Sequence, residues 1–159
     1  MSAPAADRPG ILAPPPLLTL AAILAGWGAE RLAPLPILPP GLAPLRVAAA
    51  LALLALALGA LVGAIAEMRR HRTSPSPYLP STAVVTSGIY HFTRNPIYVG
   101  FMLVVAAVAL AVNTWWMVVA LPILFAVLRY GVVAREERYL SAKFGAPYDA
   151  YRRQVRRWL

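Results

Sequence analysis

Apolar residues in this chain fall into four blocks separated by short polar or proline-rich punctuation. The first block runs from about Leu17 to Ala33 and stops at Pro34 and Pro36. The second, about Leu45 to Met68, is an Ala/Leu run that contains Gly59 and Gly63, read either as a small-xxx-small spacing suited to close helix contact or as simple low-complexity apolar sequence. The third begins at Pro96 and ends near Val112, where Asn113 and Thr114 leave room only for a tight reversal. The fourth opens on the aromatic pair Trp115 and Trp116 and passes Pro122, a position for a kink. It runs to about Ala134 and continues as helix into REERYLSAKFG. Blocks of this length and apolarity predict an all-α polytopic membrane protein of four transmembrane helices, the last two forming an antiparallel hairpin. The predicted organisation is one membrane domain over 1–159. It comprises an irregular Pro/Ala-rich N-terminus over 1–16, helices 1 and 2 over 17–72, a polar loop over 73–95, the hairpin over 96–134 and a helical tail over 135–159. The N-terminus lacks the basic start and cleavage site of a signal peptide.

Composition supports the lipid environment. Of 159 residues, 60% are hydrophobic and 13% charged, about half the charged share of ordinary soluble domains. The absence of Cys excludes disulfides, thiolate metal sites and Cys nucleophiles. With two His and few carboxylates, no metal site is expected.

A net charge of +9 would suit nucleic acid or an anionic membrane. Its distribution favours the membrane and argues against nucleic acid, because basic residues gather at the ends of apolar blocks and in the tail, with no nucleic-acid module. The segments before the first block, between the second and third, and after the fourth hold 1, 4 and 7 Lys or Arg. The opposite side holds two, Arg31 and Arg46. The positive-inside rule then places both termini, the polar loop and the tail in the cytoplasm, facing anionic headgroups. Oligomeric state is not legible.

All the unusual polar sequence lies on that one side. In TSGIYHFTRNPIYVG, Asn95 before Pro96 reads as a helix opening, with Asn as N-cap and Pro at N1. Arg94 sits at the positive end of that helix, where an anion is welcome and a cation is not. It suits a carboxylate or phosphate ligand, or alternatively a lipid headgroup. Tyr90 and Tyr98 read either as site residues or as interfacial aromatics. At the exit of the fourth block, helical spacing puts Arg129, Glu136 and Leu140 on one face and Tyr130 with Glu137 on the next. The two Glu read either as part of a site or as surface partners of Arg135 and Arg138. The tail FGAPYDAYRRQVRRWL fits a membrane-surface helix as well as a covering segment. An Arg at the hairpin's entry and two Glu at its exit, ringed by aromatics, suit a ligand bearing a carboxylate, an amine, hydroxyls and an aromatic base. S-adenosylmethionine and a nicotinamide nucleotide both answer that description.

These motifs resemble the isoprenylcysteine carboxyl methyltransferase and phospholipid methyltransferase superfamily of integral membrane enzymes. SPYLPSTAVVTSGIYHFTRNPIYVG (76–100) is similar to the family's G-x-Y…R-[HN]-P-x-Y segment, REERYL (135–140) to its E-E-x-x-L step, and FGAPYDAYRRQVRRW (144–158) to its F-G-x-x-Y-x-x-Y tail. Asn95 stands where many members have His. The resemblance implies a methyltransferase that takes its methyl group from S-adenosylmethionine and delivers it to a lipid-like or lipidated acceptor. Isoprenylcysteine carboxylate and a phospholipid amine both fit. It implies a cofactor pocket lined by Gly88, Tyr90, Arg94, Asn95, Pro96 and Tyr98, faced by Glu136 and Glu137, and covered by a cofactor-binding tail with Tyr148 and Tyr151. Arg94, Glu136 and Glu137 would be the catalytic group.

Two other readings compete. A steroid-reductase-type membrane enzyme would use NADPH, for which 159 residues leave little room. A small four-span transporter would show a carboxylate deep in a span, whereas Glu30 and Glu67 lie near span ends. A non-enzymatic membrane scaffold leaves the ordered polar motifs unexplained.

Overall fold

A computed structural model describes residues 8–76 and 78–159, and every regular element among them is helical. The irregular reading of positions 1–7, and Pro77 of the loop motif, lie outside the described residues. Each apolar block has become one helix: α1 spans Pro15–Leu32, α2 Ala43–Arg70, α3 Pro96–Val112 and α4 Trp115–Val127. A wide π segment, Leu128–Val133, joins α4 to α5 (Ala134–Phe144), and α6 covers Ala146–Gln154. Two continuous helical stretches, Pro40–Arg70 and Trp115–Phe144, are long and apolar enough to cross a membrane. Shorter α3, at 17 residues, is also apolar. Leu17, Leu24, Leu51, Leu56 and Val62 stand exposed along α1 and α2, an uncovered apolar surface of the kind that lipid covers.

Local chemistry sets the boundaries. Pro15 and Pro96 occupy the first helical positions of α1 and α3, where a missing N–H costs nothing. Asn113 ends α3 in the left-handed conformation at φ 65°. The Thr114 hydroxyl then caps α4 by accepting from the Trp116 N–H at 3.2 Å. At this end of the bundle Asn113 exchanges side-chain hydrogen bonds with both backbone groups of Leu38, at 3.0 and 2.9 Å. Thr114 also donates to Glu30 at 2.7 Å. Arg46 donates to the carbonyls of Leu110 and Ala111, the open C-terminal end of α3. Glu30 and Arg46 are thus joints between helix ends.

Helix packing corrects one expectation. The stripe that lets α2 approach α3 is Ala50, Ala57 and Ala64, all buried and seven residues apart. Gly100 of α3 faces it, and a Cβ there would lie 2.8 Å from Leu61 Cγ and 3.3 Å from the Ala57 carbonyl. Gly59 has nothing within 4 Å of where a Cβ would be, and Gly63 only Ile89 at 3.9 Å. Small residues do line the contact, but not the glycine pair the sequence singles out.

The π segment corrects another. A strict 3.6-residue register puts Tyr130 beside Glu137, yet Tyr130 is exposed and Glu137 buried. Arg129 likewise does not line the cleft that Glu136 and Leu140 line, and its guanidinium lies 5.4 Å from the Tyr130 ring centroid. The wider winding at 128–133 rotates α5 relative to α4. That rotation turns both carboxylates toward the start of α3.

Candidate active site

The site forms where the N-terminal end of α3 meets α5, with the chain's last residues folded across the junction. Residues 93–95 hold that tail by three bonds. The Arg94 N–H donates to the Arg156 carbonyl at 3.0 Å. The Thr93 hydroxyl and Asn95 Nδ2 donate to the Arg157 carbonyl at 3.2 and 2.8 Å. Asn95 occupies the N-cap position, but its side chain makes no capping bond. It is buried and spent on the tail, which corrects the reading of Asn95 as a side-chain cap.

On the other side, Gly145 turns α5 into α6 at φ 58°, ψ −129°, a conformation open essentially to glycine. This turn brings Tyr148 and Tyr151 inward, both buried, and the Tyr151 hydroxyl donates to the Tyr90 carbonyl at 2.7 Å. The tail therefore packs against the polar loop and does not lie as a free surface helix.

These elements enclose a cleft with about 890 Å³ of unfilled space, counting its open mouth. Every candidate site residue named from the sequence lines it except Gly88. Gly88 instead takes φ 57° and packs on α2, where a Cβ would meet Glu67 Cγ at 2.6 Å. Its role is to let the loop approach α2. Near it the Ser87 hydroxyl donates to Glu67 at 2.6 Å.

The two carboxylates are held differently. Glu136 accepts a 2.6 Å hydrogen bond from the Tyr98 hydroxyl, and no ion pair is formed to it among the described residues. Glu137 is gripped by Arg157, which donates from Nε at 2.9 Å and from Nη2 at 2.6 Å. It also lies 3.1 Å from Arg94 Nη1, with both side chains under 10% exposed. Yet Nε and Nη1 of Arg94 are buried without a hydrogen-bond partner. Orphaned donors on a buried guanidinium mark a place for an anion.

Burial raises the tyrosine hydroxyls. Tyr148 is pushed up to about 12, with the Glu137 charge adding to burial and Arg94 opposing it. Tyr90 and Tyr151 are raised further, again chiefly by burial. All three are neutral hydroxyl donors at physiological pH. Glu137's hydrogen bonds hold Arg157 more firmly protonated than usual.

Sequence reasoning missed several contributors. Arg157 carries no motif role, and only its place among four tail arginines drew notice. Ser81 and Tyr139 also border the cleft and bond each other, the Ser81 N–H donating to the Tyr139 hydroxyl at 3.2 Å. Pro9 lines its edge from the N-terminal segment. That segment is pinned by Leu12 N–H to the Gly131 carbonyl at 3.0 Å and by Arg135 to the Gly10 carbonyl at 2.8 Å. The Gly131 carbonyl of the π segment thus has a partner that no helical periodicity announces.

Apolar helices with uncovered faces, two of them long enough to cross a membrane, meet a charged, aromatic-walled cleft at one end. The phospholipid methyltransferase family matches residues 45–147, and the chain belongs to that family. Membership bears out the resemblance to the isoprenylcysteine carboxyl methyltransferase-like superfamily, of which this family is part. An uncharacterised protein of Haemophilus influenzae is 59% identical over 27 residues, 17% of this chain and 43% of that protein. The chain thus spans less than half the length of that curated relative. No solved structure matches.

Proposed function

We propose that this protein is an integral membrane methyltransferase that uses S-adenosylmethionine and acts on a lipid-like acceptor. The observation that carries the reading is the pairing of opposite needs within one cleft. Arg94 has a buried Nε without a hydrogen bond and an Nη1 that meets Glu137 only as an ion pair, and among the described residues no cation is paired with Glu136. An amino-acid zwitterion answers both at once. In this reading Arg94 holds the carboxylate and Glu136 the ammonium, while Tyr90, Tyr98, Tyr148 and Tyr151 wall the rest. Family membership over 45–147 supports the same chemistry.

S-adenosylmethionine supplies a methyl group on a positively charged sulfur. The protein contributes alignment of donor and acceptor and exclusion of water, with α6 as the cover. A carboxylate acceptor needs no base. An amine acceptor must lose its proton before attack, and in this reading neither glutamate is free to take it, since Glu137 is engaged by two arginines and Glu136 pairs with the ammonium. Isoprenylcysteine carboxylate and a phospholipid amine are the acceptor classes proposed. The distribution of Lys and Arg supports four spans with both termini and the cleft on the cytoplasmic side.

Calorimetric titration of S-adenosylhomocysteine into the detergent-purified protein, with NADPH in parallel, tests the reading. Micromolar binding of the homocysteine compound, weakened about tenfold or more by Arg94→Ala, is the expected result. Binding of NADPH alone would replace this reading with a reductase.

A further inference from the structure

Arg157 lies beyond the matched segment, which ends at residue 147, and outside the cleft lining. It nevertheless meets both sides of the site, through its side chain and its backbone carbonyl. Its guanidinium chelates Glu137 through two bonds of 2.9 and 2.6 Å. Its own carbonyl accepts from Thr93 and Asn95, the residues on either side of Arg94. Arg157 therefore ties α5 to the entrance of α3 by side chain and backbone together. It remains one-third exposed, while the carboxylate it grips is 8% exposed.

The consequence falls on Arg94. Glu137 lies between two guanidiniums: Arg157 donates once to each carboxylate oxygen, and Arg94 Nη1 faces Oε1 at 3.1 Å. With Arg157 occupying both carboxylate oxygens, Arg94 stays near Glu137 at 3.1 Å but keeps Nε and Nη1 without a hydrogen bond. Without Arg157, a buried Glu137 would have Arg94 as its sole cation. Arg94 would turn its donors onto Glu137 and withdraw them from the cleft, since an uncompensated buried charge is strongly unfavourable.

We propose that Arg157 is a positioning residue that satisfies Glu137 so that Arg94 stays available to an anionic group in the cleft. The inference rests on the methyltransferase reading and adds a residue to it. Arg157 touches no substrate; it acts through Glu137 on Arg94. A bidentate fork is required, so lysine is not an equivalent.

The test uses the full chain in detergent, titrated calorimetrically with S-adenosylhomocysteine as wild type, as Arg157→Ala and as Glu137→Gln/Arg157→Gln. The single variant is expected to bind about tenfold more weakly with unchanged stoichiometry. The double variant leaves Arg94 no charged competitor, so it is expected to bind at least about threefold tighter than the single variant. Lower stoichiometry at unchanged affinity would mean that Arg157 only supports folding, and would overturn the proposal. So would unchanged affinity in Arg157→Ala, or a double variant no tighter than the single. Failure of the wild type to bind would overturn the methyltransferase reading, and this inference with it.

Discussion

The Tyr151 hydroxyl donates to the Tyr90 carbonyl at 2.7 Å across 61 residues of sequence, and both residues are buried. This single bond fastens α6 to the loop that opens the cleft. Tyr151→Phe keeps the ring but leaves that carbonyl buried and unpaired, which costs about 1–3 kcal/mol. A lower thermal midpoint in detergent, with α6 more readily cleaved by protease, is the expected outcome.

Unequal partners make the two glutamates separable by mutation. Glu137→Gln removes the charge shared by Arg94 and Arg157, and leaving the buried Arg94 cation uncompensated costs about 3 kcal/mol or more. Glu136→Gln touches only a neutral tyrosine hydroxyl, so the fold should survive while cofactor binding is lost. Thermal unfolding of the two variants side by side reads the difference.

Helix contact gives a matched pair of glycine substitutions. Gly100→Ala forces a methyl to within 2.8 Å of Leu61 Cγ and 3.3 Å of a backbone carbonyl, at a cost of about 1–3 kcal/mol. Gly59→Ala meets nothing within 4 Å and should be neutral or stabilising by up to about 1 kcal/mol through helix propensity. Equal effects on the thermal midpoint would contradict the packing described for α2 and α3.

The cover over the cleft should be sensitive to alkali. Tyr148 ionises near 12 when folded, against an ordinary value of 10.0. A raised folded value favours the native state fully below pH 10, and the advantage is lost as the pH climbs from about 10 to about 12. Tyr90 and Tyr151 act in the same direction. Absorbance titration should show tyrosinates appearing late in the native protein, and Tyr148→Phe should remove one of the delayed groups.

Much of the fold is legible because local chemistry settles it. Pro96 and the Asn113–Thr114 pair bound α3 as expected, since a proline at N1 and a left-handed cap act within a few residues. The cleft-lining residues of α3 and α5 are legible as candidates because family-like spacing marks them. What escapes depends on contacts distant in sequence. Helical periodicity does not encode the π segment, so Arg129 and Tyr130 are assigned to the wrong faces. Gly88 belongs to a motif but serves the loop's approach to Glu67. Asn95 looks like a side-chain cap because nothing nearby reveals that Arg157, 62 residues later, claims its amide. Arg157 itself hides among four tail arginines, and only the fold distinguishes the one that meets Glu137.

The most direct measurement is transfer of labelled methyl from S-adenosylmethionine into the lipid fraction by purified protein in proteoliposomes. Parallel sets would contain phosphatidylethanolamine or a prenylated cysteine acceptor, with Glu136→Gln as the control. Label in one acceptor class, reduced about a hundredfold or more in the variant, is the predicted result. Folded protein that binds S-adenosylhomocysteine yet labels neither acceptor would contradict a methyltransferase acting on these lipids.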